Sequence, residues 1–134
     1  MFVAQHNEIG RIGEDVACET LRKRGHRIIS RNYRKKYGEI DIISHERGKL
    51  YFWEVKSVSY ETHREKSKSV PYETYRPEEN VHHKKLLRLS RVIQEYLVSY
   101  ETKGDWEFGV LVVYLDIENK RAKVRTISNI VIGA

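Results

Sequence analysis

A single cysteine, Cys18, excludes an internal disulfide and indicates a reducing compartment. No apolar run in the sequence approaches the roughly 20 residues that a membrane-spanning helix requires. Residues 1–8 also lack the basic segment followed by an apolar segment that is typical of a signal peptide. We therefore expect a cytoplasmic protein that has no membrane partner.

The histidines do not form the spacing that a zinc site needs. They are scattered along the chain except for His82 and His83, which are adjacent, so with one cysteine they offer no tetrahedral ligand set. We expect all of them to be surface or packing residues.

Prolines are also few, and both of them, Pro71 and Pro77, lie in one polar stretch, residues 57–80. This stretch mixes Lys, Glu, Ser, Thr and Tyr, which predicts a long and partly mobile surface loop. We find no internal boundary elsewhere and expect one domain over residues 1–134.

Positive charge is what the sequence has in excess. Lys and Arg number 25 against 19 Asp and Glu, which gives a net charge of +6 and an isoelectric point near 9.4. This balance favours polyanionic partners, meaning nucleic acid or an anionic membrane surface.

Hydrophobic periodicity predicts two helices and five strands in one α/β domain. The helices are expected at residues 8–24, ending at Gly25, and at 81–100, with Asn80 as N-cap. The strand over residues 106–116 is continuously apolar and should be central, whereas that over 121–127 alternates in charge as an edge strand does. The other strands are expected at residues 27–34, 39–46 and 49–56.

The hairpin formed by residues 39–46 and 49–56 carries the most informative residues. With a two-residue turn at 47–48, Asp41 lies directly opposite Glu54, and side-chain alternation puts Glu54 and Lys56 on one face. Opposed Cβ atoms are roughly 4.5–5.5 Å apart, so two carboxylates there repel each other. A hard divalent cation such as Mg²⁺ would remove this repulsion. The same register pairs Ile42 with Trp53 and Ile43 with Phe52.

These residue types suit phosphodiester hydrolysis. A metal ion supplies Lewis acidity and a water of lowered pKa, and the ammonium of Lys56 can stabilise a pentavalent phosphorus. Glu14 borders the apolar stripe of the first helix, where Gly10 and Gly13 allow close approach to the sheet. Two ordinary interpretations stay open. In one, Lys56 forms an ion pair with Asp41 or Glu39, and Glu54 faces an Arg or Lys from elsewhere in the chain. In the other, Glu14 faces solvent.

At this point the sequence resembles a known family. Residues 38–41, Gly-Glu-Ile-Asp, followed by Glu54-Val55-Lys56, are similar to the signature of the PD-(D/E)XK nuclease superfamily. Gly13-Glu14 and the Arg-Asn-Tyr-Arg of residues 31–34 narrow the resemblance to the YraN family, nuclease-like proteins similar to archaeal Holliday-junction resolvases. Residues 77–81, the Leu-rich helix and residues 106–113 extend the resemblance over nearly the whole chain.

The resemblance implies a restriction-endonuclease-like fold, a mixed central sheet flanked by helices with an α-β-β-β-α-β core. It implies an endonuclease that uses Mg²⁺ or Mn²⁺ on DNA in preference to RNA, with branched or flapped DNA as candidate substrates. The implied residues are Asp41, Glu54 and the carbonyl of Val55 as metal ligands, Lys56 as catalytic lysine, and Glu14 as first-helix acid. One departure concerns Lys84-Lys85, where the family usually has Lys-Gln.

Nucleic-acid contacts are expected from basic residues and from tyrosines that can stack on unpaired bases. Two alternatives to a nuclease stay open, namely a nucleic-acid-binding module without turnover and an adaptor that binds proteins through residues 57–80. Similar resolvases act as dimers and residues 127–134 are apolar, so a homodimer is a further expectation. The candidate contact residues are Arg31, Tyr33, Arg34, Lys35, Lys36, Tyr37, Lys84, Lys85, Arg88 and Arg91.

Overall fold

The computed structural model describes residues 6–60 and 83–130 of the chain. The expected helices and strands are all present there, and their ends differ from the predicted ones by three residues or fewer. In chain order they are α1 (His6–Lys23), β1 (Arg27–Lys35), β2 (Gly38–Glu46), β3 (Lys49–Ser59), α2 (His83–Ser99), β4 (Trp106–Asp116) and β5 (Arg121–Ile127).

One boundary prediction was wrong, because residues 57–59 continue β3 and do not belong to a loop. They stay in the sheet because β3 pairs along its whole length with β4, up to Ser59 opposite Leu115. The rest of the predicted loop from residue 61 onward, the N-cap Asn80 and half of the expected dimer contact, residues 131–134, lie outside the described residues.

The strands form one mixed sheet in the order β1-β2-β3-β4-β5. β3 and β4 run parallel, while the other neighbouring strands are antiparallel. β4 is interior, between β3 and β5, and every residue from Glu107 to Asp116 is buried, as its continuous apolar run predicts. β5 is an edge strand, as its charge pattern predicts.

Each face of the sheet carries one helix. Val110, Val112 and Tyr114 of β4 pack in a core with α2 residues such as Ile93. The alternating residues of β4, among them Leu111, pack in a second core with α1. The fold is therefore α/β with a mixed central sheet flanked by helices, as expected. In the part of the chain that is described, no helix is long and apolar enough to span a membrane.

The turn of the β2–β3 hairpin has the predicted two residues. Arg47 and Gly48 both have positive φ, 52° and 77°, which is the conformation of a type I′ turn. Its right-handed twist matches the strands and sets the predicted register of Ile42 with Trp53 and Ile43 with Phe52. The hairpin register is therefore correct where the strands are paired.

Helix α1 contacts β3 closely at Gly13. A Cβ atom added to Gly13 would lie 1.7 Å from Oγ of Ser57 and 2.8 Å from its Cβ, whereas one added to Gly10 would meet nothing within 4 Å. The absence of a side chain at Gly13 thus sets how near the helix lies to the sheet. Glu14 is the next residue, so this contact also positions Glu14.

We expect opposite effects from two equivalent substitutions in this helix. Gly13→Ala should lower the free energy of unfolding by about 1–3 kcal/mol, because the new methyl group overlaps Ser57. Gly10→Ala should raise it by about 0.5–1 kcal/mol through helix propensity alone. Urea denaturation of both variants measures the difference. Equal effects would mean that the Gly13–Ser57 contact does not limit the packing of α1.

Candidate functional site

Strands β2 and β3 separate at Asp41. Their paired register runs from Glu46–Lys49 to Ile42–Trp53. Beyond it, Oδ2 of Asp41 accepts a hydrogen bond from the backbone N–H of Val55 at 2.7 Å. The predicted direct opposition of Asp41 and Glu54 is thus replaced by a bond from Asp41 to the residue after Glu54.

A break in the side-chain alternation of β2 causes this separation. Ile40 and Ile43 both pack in the core under α2, although residues three apart point to opposite faces of a regular strand. In β1 the register places Asn32 across from Asp41, between the pairs Arg31–Ile42 and Tyr33–Ile40. Asn32 has a φ of 54°, a left-handed conformation that Asn adopts more readily than most residues.

Glu54 is a buried carboxylate held by two ammonium groups. Its side chain is 7% exposed, and its Oε2 lies 3.3 Å from Nζ of Lys56. The same oxygen accepts a hydrogen bond from Nζ of Lys85, which comes from α2. Glu54 and Lys56 alternate with Phe52 along β3, so they share the face that α2 covers. These contacts satisfy a charge that would otherwise be costly to bury.

Glu14 approaches from the other face, because α1 packs there. Oε1 of Glu14 lies 3.4 Å from the guanidinium of Arg31, which also binds Asp15 at 2.9 Å. With its amide nitrogen turned toward the two acceptors, Asn32 donates to Glu14 Oε2 at 3.2 Å and to Glu39 Oε2 at 2.8 Å. Glu14, which we expected to approach the hairpin, lies close enough to Asp41 for its charge to raise the pKa of that acid.

This arrangement changes the pKa of Asp41. Burial first, and then the charge of Glu54, raise the pKa of Asp41 to about 7. The Val55 N–H favours the carboxylate and lowers the pKa, whereas Glu14 and Glu39 raise it further. Asp41 is therefore a half-buried acid near three other carboxylates. We define these four residues as the acidic centre: Glu14, Glu39, Asp41 and Glu54.

The predicted nucleic-acid contacts do not all lie free on the surface. Lys85 binds Glu54 in the acidic centre, and Arg34 binds Glu39 at 3.0 Å. Tyr33 packs edge-on against Tyr96 with ring centroids 5.3 Å apart, so its ring belongs to the core. The contacts that remain exposed, besides the paired Arg31 and Arg34, are Lys35, Lys36, Lys84, Arg88 and Arg91.

The sequence analysis did not place three residues in or beside the acidic centre: Lys85, Glu39 and Asn32. Lys85 was placed among the phosphate contacts, because helix periodicity puts it outside the apolar stripe. Glu39 was considered as a partner of Lys56, whereas it binds Arg34 and Asn32. One feature of the sequence pointed to Asn32: its neighbours in β1 are basic, and the acids with which they would pair lie in β2 and α1. Lys56 pairs with Glu54 of its own strand, which differs from both ionic alternatives considered above.

The donor atoms of the centre are oxygens, which hard cations prefer as ligands. Asp41, Glu54 and the carbonyl of Val55 could hold Mg²⁺ or Mn²⁺, because these ions take carboxylate, carbonyl and water oxygens. Burial, and then the charge of Glu54, raise the pKa of Asp41, and a bound ion would favour its carboxylate form. Within residues 6–60 and 83–130, no group of three or more His, Cys, Asp or Glu side chains is arranged as a metal site. Water would have to complete the shell, as is usual for Mg²⁺.

The sequence profile described as Uncharacterised protein family UPF0102 matches residues 13–117. A relative from Persephonella marina is 39% identical over 95 residues, covering 71% of this chain and 72% of its own length. One from Alkaliphilus oremlandii is 34% identical over 125 residues, covering 92% and 97% respectively. Both are called UPF0102 protein, a name that states the family alone.

Among solved structures, a structure of Pyrococcus furiosus SfsA in complex with Ca²⁺ is similar with 16% identity and a TM-score of 0.34. The superposition covers 88% of this chain and 62% of the SfsA chain, and at this TM-score we infer nothing from the similarity. The matched residues 13–117 include the five that the resemblance singled out: Glu14, Asp41, Glu54, Val55 and Lys56. The chain therefore belongs to the UPF0102 family, the YraN family that the sequence motifs indicated.

Proposed function

We propose that this protein is a Mg²⁺- or Mn²⁺-dependent endonuclease that hydrolyses phosphodiester bonds in DNA, with branched or flapped DNA as its substrate class. One observation carries the proposal: Asp41, Glu54 and Lys56 meet where β2 leaves β3, and burial together with Glu54 raises the pKa of Asp41 to about 7. Clustered carboxylates beside lysine suit a cation and a phosphate better than they suit a purely structural role.

Each residue of the centre has a chemical role in this proposal. Asp41 and Glu54, with the carbonyl of Val55, would hold the cation, which when bound supplies Lewis acidity and a water of lowered pKa. The N–H of Val55 orients the carboxylate of Asp41. Lys56 stabilises the negative charge that develops on the phosphoryl oxygens. Asn32 donates hydrogen bonds to Glu14 and to Glu39, and it thereby orients these two carboxylates near Asp41.

A basic surface next to the centre supports a polyanionic substrate. The turn between β1 and β2 contains Lys36 and lies against α2, since a Cβ on Gly38 would be 3.9 Å from Cβ of Arg88. The guanidinium of Arg91 lies 3.7 Å from the ring centroid of Tyr37 in the same turn. Lys85 is one helical turn from Arg88, so the basic surface continues to Glu54. Phosphates bound there would lie beside the proposed centre.

A second candidate is a nucleic-acid-binding module that keeps this fold without turnover. The observation in its favour is that Lys56 and Lys85 already neutralise Glu54. A protein of this kind would use the same basic surface but would not need a cation. The two candidates therefore agree on DNA binding and differ on metal and cleavage.

The test is incubation of the protein with Mn²⁺ and with linear, flapped and four-way DNA of one sequence. We expect cleavage of at least one branched form, and binding to all forms that weakens steeply between about 50 and 200 mM salt because phosphate contacts release counterions. Binding is measured by fluorescence anisotropy in EDTA, so that it is separated from cleavage. A Lys36→Gln/Arg88→Gln variant should bind more weakly and show a smaller salt slope.

Each outcome distinguishes the candidates. Salt-dependent binding without cleavage in Mn²⁺ or Mg²⁺ would leave the binding module as the function. Binding that is independent of salt, or absent, would exclude a phosphate-contacting surface and both candidates with it. RNA of matched shape serves as the comparison substrate, since equal cleavage of RNA would overturn the preference for DNA.

A further inference from the structure

Lys85 lies in the acidic centre although Lys56 already supplies a cation there. Nζ of Lys85 and Nζ of Lys56 contact the same oxygen, Oε2 of Glu54. Both ammonium groups therefore neutralise Glu54, one of the two carboxylates proposed to hold the cation. While both lysines remain, they weaken the attraction of this carboxylate for a divalent cation.

The two lysines differ in how they are held. Lys56 belongs to β3, where its backbone is paired with Val112 of β4, and it reaches Glu54 along its own strand. Lys85 reaches Glu54 from the first turn of α2, and its side chain is 37% exposed against 29% for Lys56. The exposed neighbours Lys84 and Arg88 show that this turn of the helix also faces solvent. Lys85 can therefore leave Glu54 by side-chain rotation alone.

We propose that Lys85 is a displaceable counter-ion of the centre: it neutralises Glu54 in the metal-free protein, and a divalent cation must displace it in order to bind. The displaced ammonium then joins the basic surface of α2 that faces the substrate phosphate. This inference rests on the proposed function, because it requires Asp41 and Glu54 to hold a cation. It assigns to Lys85 a role in setting metal affinity, distinct from the role of Lys56.

The experiment is a titration of the full chain with Mn²⁺, in which free Mn²⁺ is measured by electron paramagnetic resonance. Lys85→Gln should bind Mn²⁺ at least ~5-fold more tightly than wild type, because a unit charge in contact with the ligand oxygen is removed. Lys84→Gln is the matched control, since it removes the same charge from the neighbouring exposed position, where solvent and salt screen it. Its affinity should stay close to that of wild type. Asp41→Asn should abolish the binding and so identify the site.

A second variant, Lys85→Met, keeps the apolar stem of the side chain and should show the same tightening if Lys85→Gln packs poorly. Unchanged or weaker Mn²⁺ binding in both Lys85 variants, with binding still lost in Asp41→Asn, would overturn the inference and leave the proposed function intact. Equal tightening in Lys84→Gln would also overturn it, because the effect would then be one of net charge. Absence of Mn²⁺ binding in wild type and all variants would overturn both the inference and the metal-dependent function.

Discussion

Replacing Asp41 by Asn is expected to lower the rate of DNA cleavage by roughly 10³-fold or more. The reason is that the cation, which would supply the reacting water, would lose one of its two carboxylate ligands. The change is nearly isosteric, and an Asn oxygen can still accept the Val55 N–H that Asp41 binds at 2.7 Å. The fold should therefore survive. Single-turnover cleavage of the preferred DNA, at the Mn²⁺ concentration that saturates wild type, measures the loss, with circular dichroism as the control for folding.

The same substitution should change the pH dependence of stability. The pKa of Asp41 is about 7 in the folded protein against an ordinary value of 3.8, so the protonated carboxyl favours folding. This contribution is complete below pH 4 and is lost as the pH rises through 7. Asn resembles the protonated acid at every pH. Without metal, the variant should match wild type near pH 4 and exceed its free energy of unfolding above pH 7 by on the order of 2–4 kcal/mol.

Urea denaturation in EDTA at pH 4, 6 and 8 measures this difference. A variant that is less stable than wild type at pH 8 would mean that Asp41 is half of a structural ion pair, whose rupture costs roughly 3–5 kcal/mol. In that case the centre would keep the geometry of a nuclease without its chemistry. Added Mn²⁺ should stabilise wild type and leave Asp41→Asn unaffected, since a ligand raises stability only where it binds the folded state.

Replacing Lys56 by Met is expected to lower kcat by roughly 10²–10³-fold while Mn²⁺ binding is retained, because the lost ammonium stabilises charge in the transition state. Lys49→Met is a matched control on the same strand. Its Nζ lies 2.6 Å from Oε1 of Glu107, whose side chain is 8% exposed, so each substitution removes a lysine from a buried glutamate of the sheet. Lys49 lies at the start of β3, away from the acidic centre.

Comparison of the two variants separates catalysis from stability. Both should lose some free energy of unfolding, because each leaves a buried carboxylate with fewer partners. The loss of kcat should be confined to Lys56→Met. Equal losses of activity would show that any weakened β3 lysine impairs the protein through its fold, and they would remove Lys56 from the proposed chemistry.

Most of the fold could be predicted because it depends on local patterns. Period-3.6 spacing in α1 and α2 and continuous or alternating apolar residues in the strands located these elements to within a few residues. The turn at Arg47 and Gly48 then defined the hairpin register, since a two-residue loop leaves one pairing for Ile42 and Trp53. Strand alternation correctly placed Glu54 and Lys56 on one face.

The site was predicted less completely, because it lies where the regular pattern ends. The register at Asp41 departs from the extrapolated one since Ile40 and Ile43 both pack under α2, which no local rule requires. Helix periodicity put Lys85 among solvent-facing residues, yet the packing of α2 on the sheet brings its ammonium to Glu54. A side chain as long as lysine can serve either environment, so its spacing along the helix does not decide between them.

The sequence by itself therefore determined the order of the elements, the hairpin turn and the family, and it named the acids Glu14, Asp41 and Glu54 as candidates for the site. These depend on residue type and spacing along one segment of chain. Only the tertiary structure decided which carboxylates share one centre, which cations neutralise them, and that α1 and α2 reach it from opposite faces. Those contacts join residues distant in sequence, and their energies depend on burial and on distances that are set when the helices pack on the sheet.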